Sequence, residues 1–221
     1  SNPIEPLLWM LAYLAVNVFI VAKGVTGGIE KASKILMPSI YVMFIFICIR
    51  SLTLPGAGEG VRFLFIPDWS KVHGSTFLAA LGQAFFSLSL GMGCMITYGS
   101  YLGKKESLPQ SALTVTLMDT SVAILAGVAM FPALFAYGME PAQGPGLVFV
   151  VMPQLFAQMG GIGVILSIVF FVALMVAALT SSVSLLEVVV AYLMDEKKFS
   201  RKKAVYGAAS VMTIMCILAS L

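Results

Sequence analysis

Residues 161–194 read GIGVILSIVFFVALMVAALTSSVSLLEVVVAYLM, an apolar run whose only charged side chain is Glu187. About 20 apolar residues cross the hydrocarbon core of a bilayer as a helix, so this run predicts a membrane span that projects beyond the bilayer. The whole chain of 221 residues is 60% hydrophobic and 10% charged, with a mean hydropathy of +1.01. In a soluble domain, roughly a quarter of the residues are charged. The composition therefore indicates an integral membrane protein.

Six apolar runs are long enough to cross a bilayer and predict an all-α bundle of membrane-spanning helices. They cover residues 7–22, 35–54, 77–101, 113–137, 161–194 and 204–221. On one side of the predicted bundle, the basic residues of the loops are Arg62 and Lys71. The other side is much more basic. Its residues are Lys23, Lys31, Lys34, Lys104, Lys105, Lys197, Lys198, Arg201, Lys202 and Lys203. The basic side is cytoplasmic by the positive-inside rule, so residues 55–75 and 138–160 are external.

Several function classes are disfavoured by the same sequence. The formal net charge is only +3 and the basic residues lie at the ends of the apolar runs, so nucleic-acid binding is not expected. An enzyme is not expected either, because no H-E-x-x-H or G-x-S-x-G motif is present. A passive channel would need a polar stripe along each pore-lining helix, whereas the polar groups here cluster at one depth. Since the chain starts at Ser1 without Met and ends inside an apolar run, we expect it to be part of a longer polytopic protein.

The third apolar run is interrupted near its middle by small and polar residues. Residues 83–93 read QAFFSLSLGMG, with two hydroxyls, Ser87 and Ser89, and a Gly-x-Gly at 91–93. This pattern predicts an unwound helix, whose freed backbone groups are tolerated only where protein or a water-filled cavity satisfies them. Freed carbonyls could bind a cation. Alternatively, the glycines and serines allow close packing of neighbouring helices.

Two further polar features lie in other runs. Asp119 is an acid about one and a half turns into the fourth run, which marks a functional site or a pairing with a neighbouring helix. In the fifth run, the carbonyl of Ala177 and the hydroxyls of Thr180 and Ser181 converge on one helix face. They could form an oxygen cage for a small hard cation, or the hydroxyls could donate to carbonyls of their own helix. Glu187 faces either a neighbouring helix or water near the cytoplasmic end.

Three segments resemble the neurotransmitter:sodium symporters, specifically their bacterial amino-acid transporter branch. QAFFSLSLGMGCMITYGSY (83–101) resembles the broken sixth helix of the family, DTSVAILAGVAMFP (119–132) the seventh and AALTSSVSLLE (177–187) the eighth. KASKILMP (31–38) and FIPDW (65–69) are also similar to family segments. The resemblance implies that the six predicted spans are the fourth to ninth of a twelve-span protein. It also implies the leucine-transporter fold with its 5+5 inverted repeat. The orientation that the lysines predict agrees with this alignment.

The resemblance implies roles for individual residues. The substrate pocket is formed by Phe86, Ser87, Ser89, Met92, Ser181 and Leu185. The first sodium site contains Ser87 and Asp119, and the second contains Ala177, Thr180 and Ser181. Gln83 takes the position of an outer-gate residue, and Tyr101 and Asp195 those of the inner gate.

Three residues depart from the family pattern. Asp119 stands where many members have Asn, and Ala123 stands where animal members have a chloride-binding Ser and some bacterial ones an acid. We expect the Asp119 carboxylate to supply the negative charge that chloride provides elsewhere, so chloride is not required. Met92 replaces a frequent Phe, which predicts a more flexible pocket wall that accepts bulkier apolar or aromatic substrates.

Taken together, the resemblance implies a sodium-coupled symporter of the bacterial inner membrane that imports an amino acid by alternating access. Two Na⁺ sites are expected, and the partners are an apolar or aromatic amino acid and the lipid bilayer. Whether the protein forms a homo-oligomer is left open. A non-transporting family homologue or a sodium-independent facilitator is the alternative.

Overall fold

The computed structural model describes residues 4–103, 105–141 and 144–220, and in these ranges the ordered elements are helical. The α-helices are α1 (Ile4–Ala22), α2 (Lys31–Leu52), α3 (Ala57–Phe65), α4 (Gly74–Ser87), α5 (Cys94–Ser100), α6 (Leu108–Ala136), α7 (Met152–Gln158), α8 (Gly161–Asp195) and α9 (Arg201–Ser220). Shorter turns connect some of them, π-helical at Val25–Glu30 and Leu147–Val151 and 3-10 at Trp69–Lys71 and Leu90–Met92. Lys104, which we assigned to the cytoplasmic side, and Leu221, at the end of the sixth predicted span, lie outside the described residues.

Four helical stretches of the described chain are long and apolar enough to cross a membrane. They are Glu5–Ala22, Val25–Leu52, Leu108–Ala136 and Gly161–Asp195. The run 77–101, predicted as one span with a break, is divided between α4 and α5. The sixth predicted run corresponds to α9, which begins with three basic residues, Arg201, Lys202 and Lys203.

The chain forms two compact units, which are described separately. Unit 1 contains Ser1–Met37, Ser89–Glu106 and Val176–Leu221, and unit 2 contains Pro38–Leu88 and Ser107–Met175. Two long helices contribute to both units, because the division falls within α2 and within α8.

In unit 1, α1 and α9 pack against each other and against the second half of α8. The centre of this core is formed by Val21, Val190, Ala204 and Val205, all fully buried. Alanines on α9 let the helix backbones approach closely, as is common in membrane proteins. The turn after α1 begins at Gly24, whose φ of +92° is open to glycine but strained for other residues.

In unit 2, α3 packs along the second half of α6. A Cβ on Gly60 would lie 2.5 Å from backbone atoms of Phe131 and Pro132, so only glycine allows this approach. The Phe63 ring lies with its centroid 5.2 Å and 5.3 Å from those of Phe131 and Phe135. Close backbone approach and aromatic packing therefore fix α3 to α6, which corresponds to the fourth predicted span.

The helix break between α4 and α5 is produced by left-handed backbone conformations. Ser89 has φ +54° and Gly93 has φ +78°, and both residues flank the 3-10 turn Leu90–Met92. A right-handed helix cannot continue through such residues, and the left-handed region costs a non-glycine residue roughly 1–2 kcal/mol. The hydrogen-bond ladder resumes at Thr97, whose amide donates to the Gly93 carbonyl at 2.9 Å. The interruption lies within the small and polar stretch that predicts it.

Candidate functional site

In unit 2, the last residue of α4 is joined to a carboxylate on α6. The Ser87 hydroxyl lies 2.8 Å from each of the two carboxylate oxygens of Asp119. A hydroxyl has one proton, so it donates between the two oxygens and keeps its lone pairs. The Asp119 side chain is half-buried in the middle of a long apolar helix. The pairing brings together two residues that were predicted to share the first sodium site.

Tyr41 of α2 contacts the same turn of α6. Its hydroxyl lies 2.6 Å from the Ser121 hydroxyl and 3.1 Å from the Met118 carbonyl oxygen. The Ser121 hydroxyl in turn donates to the Met118 carbonyl at 2.8 Å. These contacts hold the backbone on both sides of Asp119. The sequence reasoning did not single out Tyr41, although a tyrosine within an apolar run is a signal that its hydroxyl has a partner.

The remaining predicted residues of unit 2 lie on α4. Gln83 and Phe86 are both exposed, and no residue described on α4 is buried. The structure thus brings Ser87 to Asp119 but gives Gln83 and Phe86 no packed surroundings within unit 2. Their roles in the outer gate and substrate pocket stay predictions.

In unit 1, the predicted oxygen cage lies on one turn of α8. The carbonyl oxygen of Ala177 accepts hydrogen bonds from the Thr180 hydroxyl at 2.8 Å and the Ser181 hydroxyl at 3.3 Å. The three oxygens are therefore adjacent, and of the two alternatives the structure shows the hydroxyls donating to a carbonyl of their own helix, while the cation cage stays a prediction. The hydroxyls donate to their own helix, and their lone pairs are still available to a cation.

The other predicted pocket residues of unit 1 lie on the helix break and on α8. Ser89 precedes the 3-10 turn and Met92 is its last residue, and both are half-buried. Ser181 and Leu185 are four residues apart on α8 and are both exposed, so they share one helix face. Because Phe86 and Ser87 belong to unit 2, the predicted substrate pocket stays a prediction.

Glu187 is the centre of a buried polar network in unit 1. It is completely inaccessible to solvent, and the Arg201 guanidinium binds both of its oxygens, at 3.1 Å and 2.5 Å. The Tyr101 hydroxyl donates to Glu187 Oε1 at 2.7 Å, and Arg201 Nε donates to the Val21 carbonyl at 2.9 Å. The network therefore connects the end of α1, the residue that follows α5, and helices α8 and α9. Of the alternatives left open for Glu187, the structure shows the neighbouring-helix one.

The predicted inner-gate residues have different surroundings. Tyr101 is bound to Glu187, whereas Asp195 is exposed at the end of α8. Sequence reasoning treated Arg201 only as an orienting charge and missed its bidentate contact with Glu187. The signal was present, since a buried acid in an apolar helix requires a partner.

A second polar network in unit 1 was also missed. Asn17, in the middle of the first apolar run, is 2% exposed, and its amide oxygen accepts a hydrogen bond from the Ser182 hydroxyl at 2.7 Å. The Tyr13 hydroxyl lies 2.8 Å from the same serine oxygen. The amide side chain of Asn17 inside an apolar helix was the available signal.

Known proteins resemble this chain in sequence and in fold. The model of the sodium:neurotransmitter symporter family matches residues 4–221. An uncharacterized sodium-dependent transporter of Bacillus subtilis, YhdH, is 46% identical over 92% of this chain and 45% of its own length. A second uncharacterized sodium-dependent transporter, from Haemophilus influenzae, is 42% identical over 93% of this chain and 45% of its own.

The crystal structure of MhsT in complex with L-phenylalanine superposes on this chain with a TM-score of 0.86. The identity is 50%, and the match covers 100% of this chain and 50% of MhsT. The predicted all-α class and leucine-transporter fold are confirmed by this match.

The chain spans about half the length of the relatives it matches, 45% in the two sodium-dependent transporters and 50% in MhsT. These matches, together with the apolar helices of membrane-spanning length, make it part of an integral multi-pass membrane protein. Because the family model covers residues 4–221, the chain belongs to the sodium:neurotransmitter symporter family.

Proposed function

We propose that the full-length protein couples inward sodium movement to the uptake of an apolar or aromatic amino acid by alternating access. The observation that carries this proposal is the pairing of Ser87 with Asp119. A carboxylate within a membrane helix costs a few kcal/mol or more, so it is retained where it does something. Its partner here is an uncharged hydroxyl, which orients the carboxylate without neutralising it. A small hard cation such as Na⁺ supplies the missing positive charge.

The turn of α8 that contains Ala177, Thr180 and Ser181 supports a second sodium site of a different kind. Its ligands are a carbonyl and two hydroxyl oxygens, all uncharged. Oxygen ligands suit hard cations, but a neutral set binds them less strongly than a carboxylate does. The second site is therefore expected to be weaker than the first and to release its sodium more readily.

The negative charge of Asp119 also supports transport without chloride. A fixed carboxylate beside the cation balances its charge, so no anion has to bind with it. Ala123, one turn further along α6, contributes neither charge nor hydroxyl. Some relatives are named as sodium- and chloride-dependent, such as a glycine transporter of Xenopus laevis that is 31% identical. We infer that this protein differs from them in its anion requirement.

The proposed substrate class is supported by MhsT, which was crystallised with L-phenylalanine and is 50% identical to this chain. The apolar residues predicted for the substrate pocket, Phe86, Met92 and Leu185, suit a side chain of this class. The substrate carboxylate would complete the first sodium site next to Ser87 and Asp119. Since each ligand then improves the site of the other, sodium and amino acid bind cooperatively.

The test is uptake of radiolabelled amino acids by the full-length protein in proteoliposomes. Sodium is exchanged for potassium in one arm, and chloride for gluconate in another. We expect accumulation of phenylalanine and other apolar amino acids that requires sodium and survives chloride removal. Equilibration without sodium would instead identify a facilitator, and binding without uptake a non-transporting homologue. Strict chloride dependence would overturn the role of Asp119 alone.

A further inference from the structure

Asn17 is a buried amide on α1 whose two ends are both hydrogen-bonded. Its Nδ2 donates to the Tyr13 carbonyl at 3.0 Å, which is one turn earlier on the same helix. Its Oδ1 accepts from the Ser182 hydroxyl on α8 at 2.7 Å. With 2% of its surface exposed, the side chain is held in one orientation by these two bonds.

The direction of the hydrogen bond between the Tyr13 and Ser182 hydroxyls follows from where the Ser182 proton goes. This hydroxyl has a single proton, and its shortest acceptor is Asn17 Oδ1 at 2.7 Å, compared with 3.1 Å to the Leu179 carbonyl. The Tyr13 hydroxyl, 2.8 Å away, is therefore the donor to Ser182. Tyr13, Ser182 and Asn17 thus form a closed ring between α1 and α8, which we call the α1–α8 ring.

The α1–α8 ring attaches to the turn that carries the proposed second sodium site. Ser182 directly follows Thr180 and Ser181, and these two residues donate to the Ala177 carbonyl of the same turn. The neighbouring contacts around Leu179 and Val183 are apolar and have no preferred direction. The hydrogen bonds of the ring fix the rotation of α8 about its axis at Ser182, and the Tyr98 hydroxyl, which donates to Ser184 at 2.8 Å, is the directional contact two residues further on.

The rotation matters because cation coordination is sensitive to small displacements. A side-chain oxygen lies about 5 Å from the axis of an α-helix, so a rotation of about 10° moves it by about 1 Å. Binding constellations have to be held within about 0.5 Å of their productive geometry. A loss of directional contacts beside Ser181 is therefore enough to displace the hydroxyl oxygens from a shared cation.

We propose that Asn17 and Tyr13 are positioning residues that hold the Ala177, Thr180 and Ser181 oxygens in register for sodium. This inference rests on the proposed function, because the ion that the turn would bind is the coupling sodium. Neither residue touches the ion. Their effect is transmitted through Ser182 to the turn that binds it.

The test measures the sodium concentration for half-maximal phenylalanine uptake by the full-length protein in proteoliposomes. The variants are Asn17→Leu, Tyr13→Phe, Ser182→Ala and the conservative Ser182→Thr. Ser210→Ala is a matched control, since its hydroxyl donates to the Tyr206 carbonyl on α9 as an ordinary helix serine does. We expect Asn17→Leu and Ser182→Ala to raise the half-maximal sodium concentration about three- to tenfold and Tyr13→Phe to raise it less. Ser182→Thr and Ser210→Ala should stay within twofold of the wild type.

Sodium affinity is a readout that a purely structural role would leave unchanged, because unfolded protein lowers the maximal rate and not the sodium dependence of the active molecules. If Asn17→Leu does not fold, the pair Ser182→Ala and Ser182→Thr decides. Wild-type sodium affinity in an active Ser182→Ala variant would overturn this inference alone. A wild-type protein without sodium dependence would overturn the proposed function, and this inference with it.

Discussion

Among the described residues, Glu187 and Asp119 are carboxylates in the interior of long apolar helices, and their partners differ in charge. Glu187, in unit 1, is completely buried, and both of its oxygens are bound by the Arg201 guanidinium. Asp119, in unit 2, is half-buried and is bound by the hydroxyl of Ser87. The protein supplies the counter-charge of the first acid from its own sequence. For the second, the partner found among the described residues is a hydroxyl, which orients the carboxylate without supplying charge. This arrangement is expected of a site whose cation comes from outside.

The comparison also separates a structural role from a ligand-binding role. The Glu187 network contacts four segments of unit 1, through Tyr101, Arg201 and the Val21 carbonyl. In that network the Glu187 carboxylate has both a counter-charge and a tyrosine hydrogen bond from within the chain, as a buried charge requires. Within the part of the chain that the structure describes, the Ser87–Asp119 pair joins α4 to α6 and retains lone pairs on three oxygens.

The largest expected effect is a loss of stability when the Arg201 guanidinium beside Glu187 is removed. Arg201→Leu leaves a fully buried carboxylate without its counter-charge, which typically costs about 3–5 kcal/mol. We expect the free energy of unfolding of the full-length protein, measured in detergent micelles, to fall by about this amount. Lys202→Met, one residue away on the exposed side of α9, is the matched control and should change it by less than about 0.5 kcal/mol.

The double variant Glu187→Leu and Arg201→Leu sharpens this result. Removing both charges leaves no unpaired ion in the core, so we expect most of the lost stability to be recovered. If Arg201→Leu alone leaves stability unchanged, Glu187 is not held by this ion pair, and the contrast with Asp119 disappears.

The next largest effect is expected on sodium affinity, when the charge of Asp119 is removed. Asp119→Asn keeps the shape of the side chain and removes the negative charge that is proposed to bind sodium. We expect the half-maximal sodium concentration for uptake in chloride-free buffer to rise at least about tenfold, equivalent to about 1.4 kcal/mol. The melting temperature should change little, because Asn can still accept the Ser87 hydroxyl.

A charge-matched control for this variant is Asp68→Asn, in the segment 55–75 that is predicted to be external. Asp68 is an exposed acid paired with Lys71 at 3.2 Å, far along the chain from the proposed sodium ligands. Its replacement should leave sodium dependence unchanged. Equal sodium affinity in Asp119→Asn and the wild type would show that the Ser87–Asp119 pair is structural, like Glu187.

Much of the fold could be predicted from the sequence, because it depends on local patterns. Apolar run length predicts the helices, and the hydroxyls and glycines of residues 83–93 predict the interruption near Ser89. The spacing of Ala177, Thr180 and Ser181 predicts that their oxygens meet, since residues three and four apart are neighbours on a helix. The pairing of Ser87 with Asp119, 32 residues apart, came from the family resemblance and not from spacing.

Contacts between helices could not be predicted in this way. Arg201 reaches Glu187 from another helix, and Ser182 and Asn17 are separated by 165 residues. No periodicity relates such positions, because their proximity depends on how complete helices pack. Their polar side chains showed that partners were required, but the partners themselves emerged only from the tertiary structure.

The third prediction tests the uncharged oxygens of unit 1. The double variant Thr180→Ala and Ser181→Ala should raise the half-maximal sodium concentration about three- to tenfold, less than Asp119→Asn, because neutral ligands contribute less than a carboxylate. The double variant Thr114→Ala and Thr116→Ala is matched to it, since both hydroxyls donate to carbonyls of α6 four residues earlier. Unchanged sodium dependence in the α8 variant would contradict the second sodium site and leave only the first, with Ser87 and Asp119.

The smallest effect is expected at a third carboxylate, that of Asp68, which is exposed and paired with Lys71. The Ser70 hydroxyl, 2.6 Å from Asp68 Oδ1, lowers the pKa of Asp68, and Lys71 and the Ser70 amide lower it further. Because the pKa is lower in the folded protein than in the unfolded chain, the turn Trp69–Lys71 is stabilised above about pH 4. That stabilisation is lost as the pH falls through the lowered pKa.

Hydrogen exchange of the Ser70 amide, corrected for intrinsic rates, should therefore show lower protection at pH 3 than at pH 6. Asp68→Ala should show the low value at both. Solvent screens an exposed pair, so melting temperature and sodium affinity should not follow this change. If the sodium affinity changed when Asp68 is protonated, an exposed acid with a partner of its own would also affect sodium binding. The difference between Glu187 and Asp119 would then need another explanation than the charge of their partners.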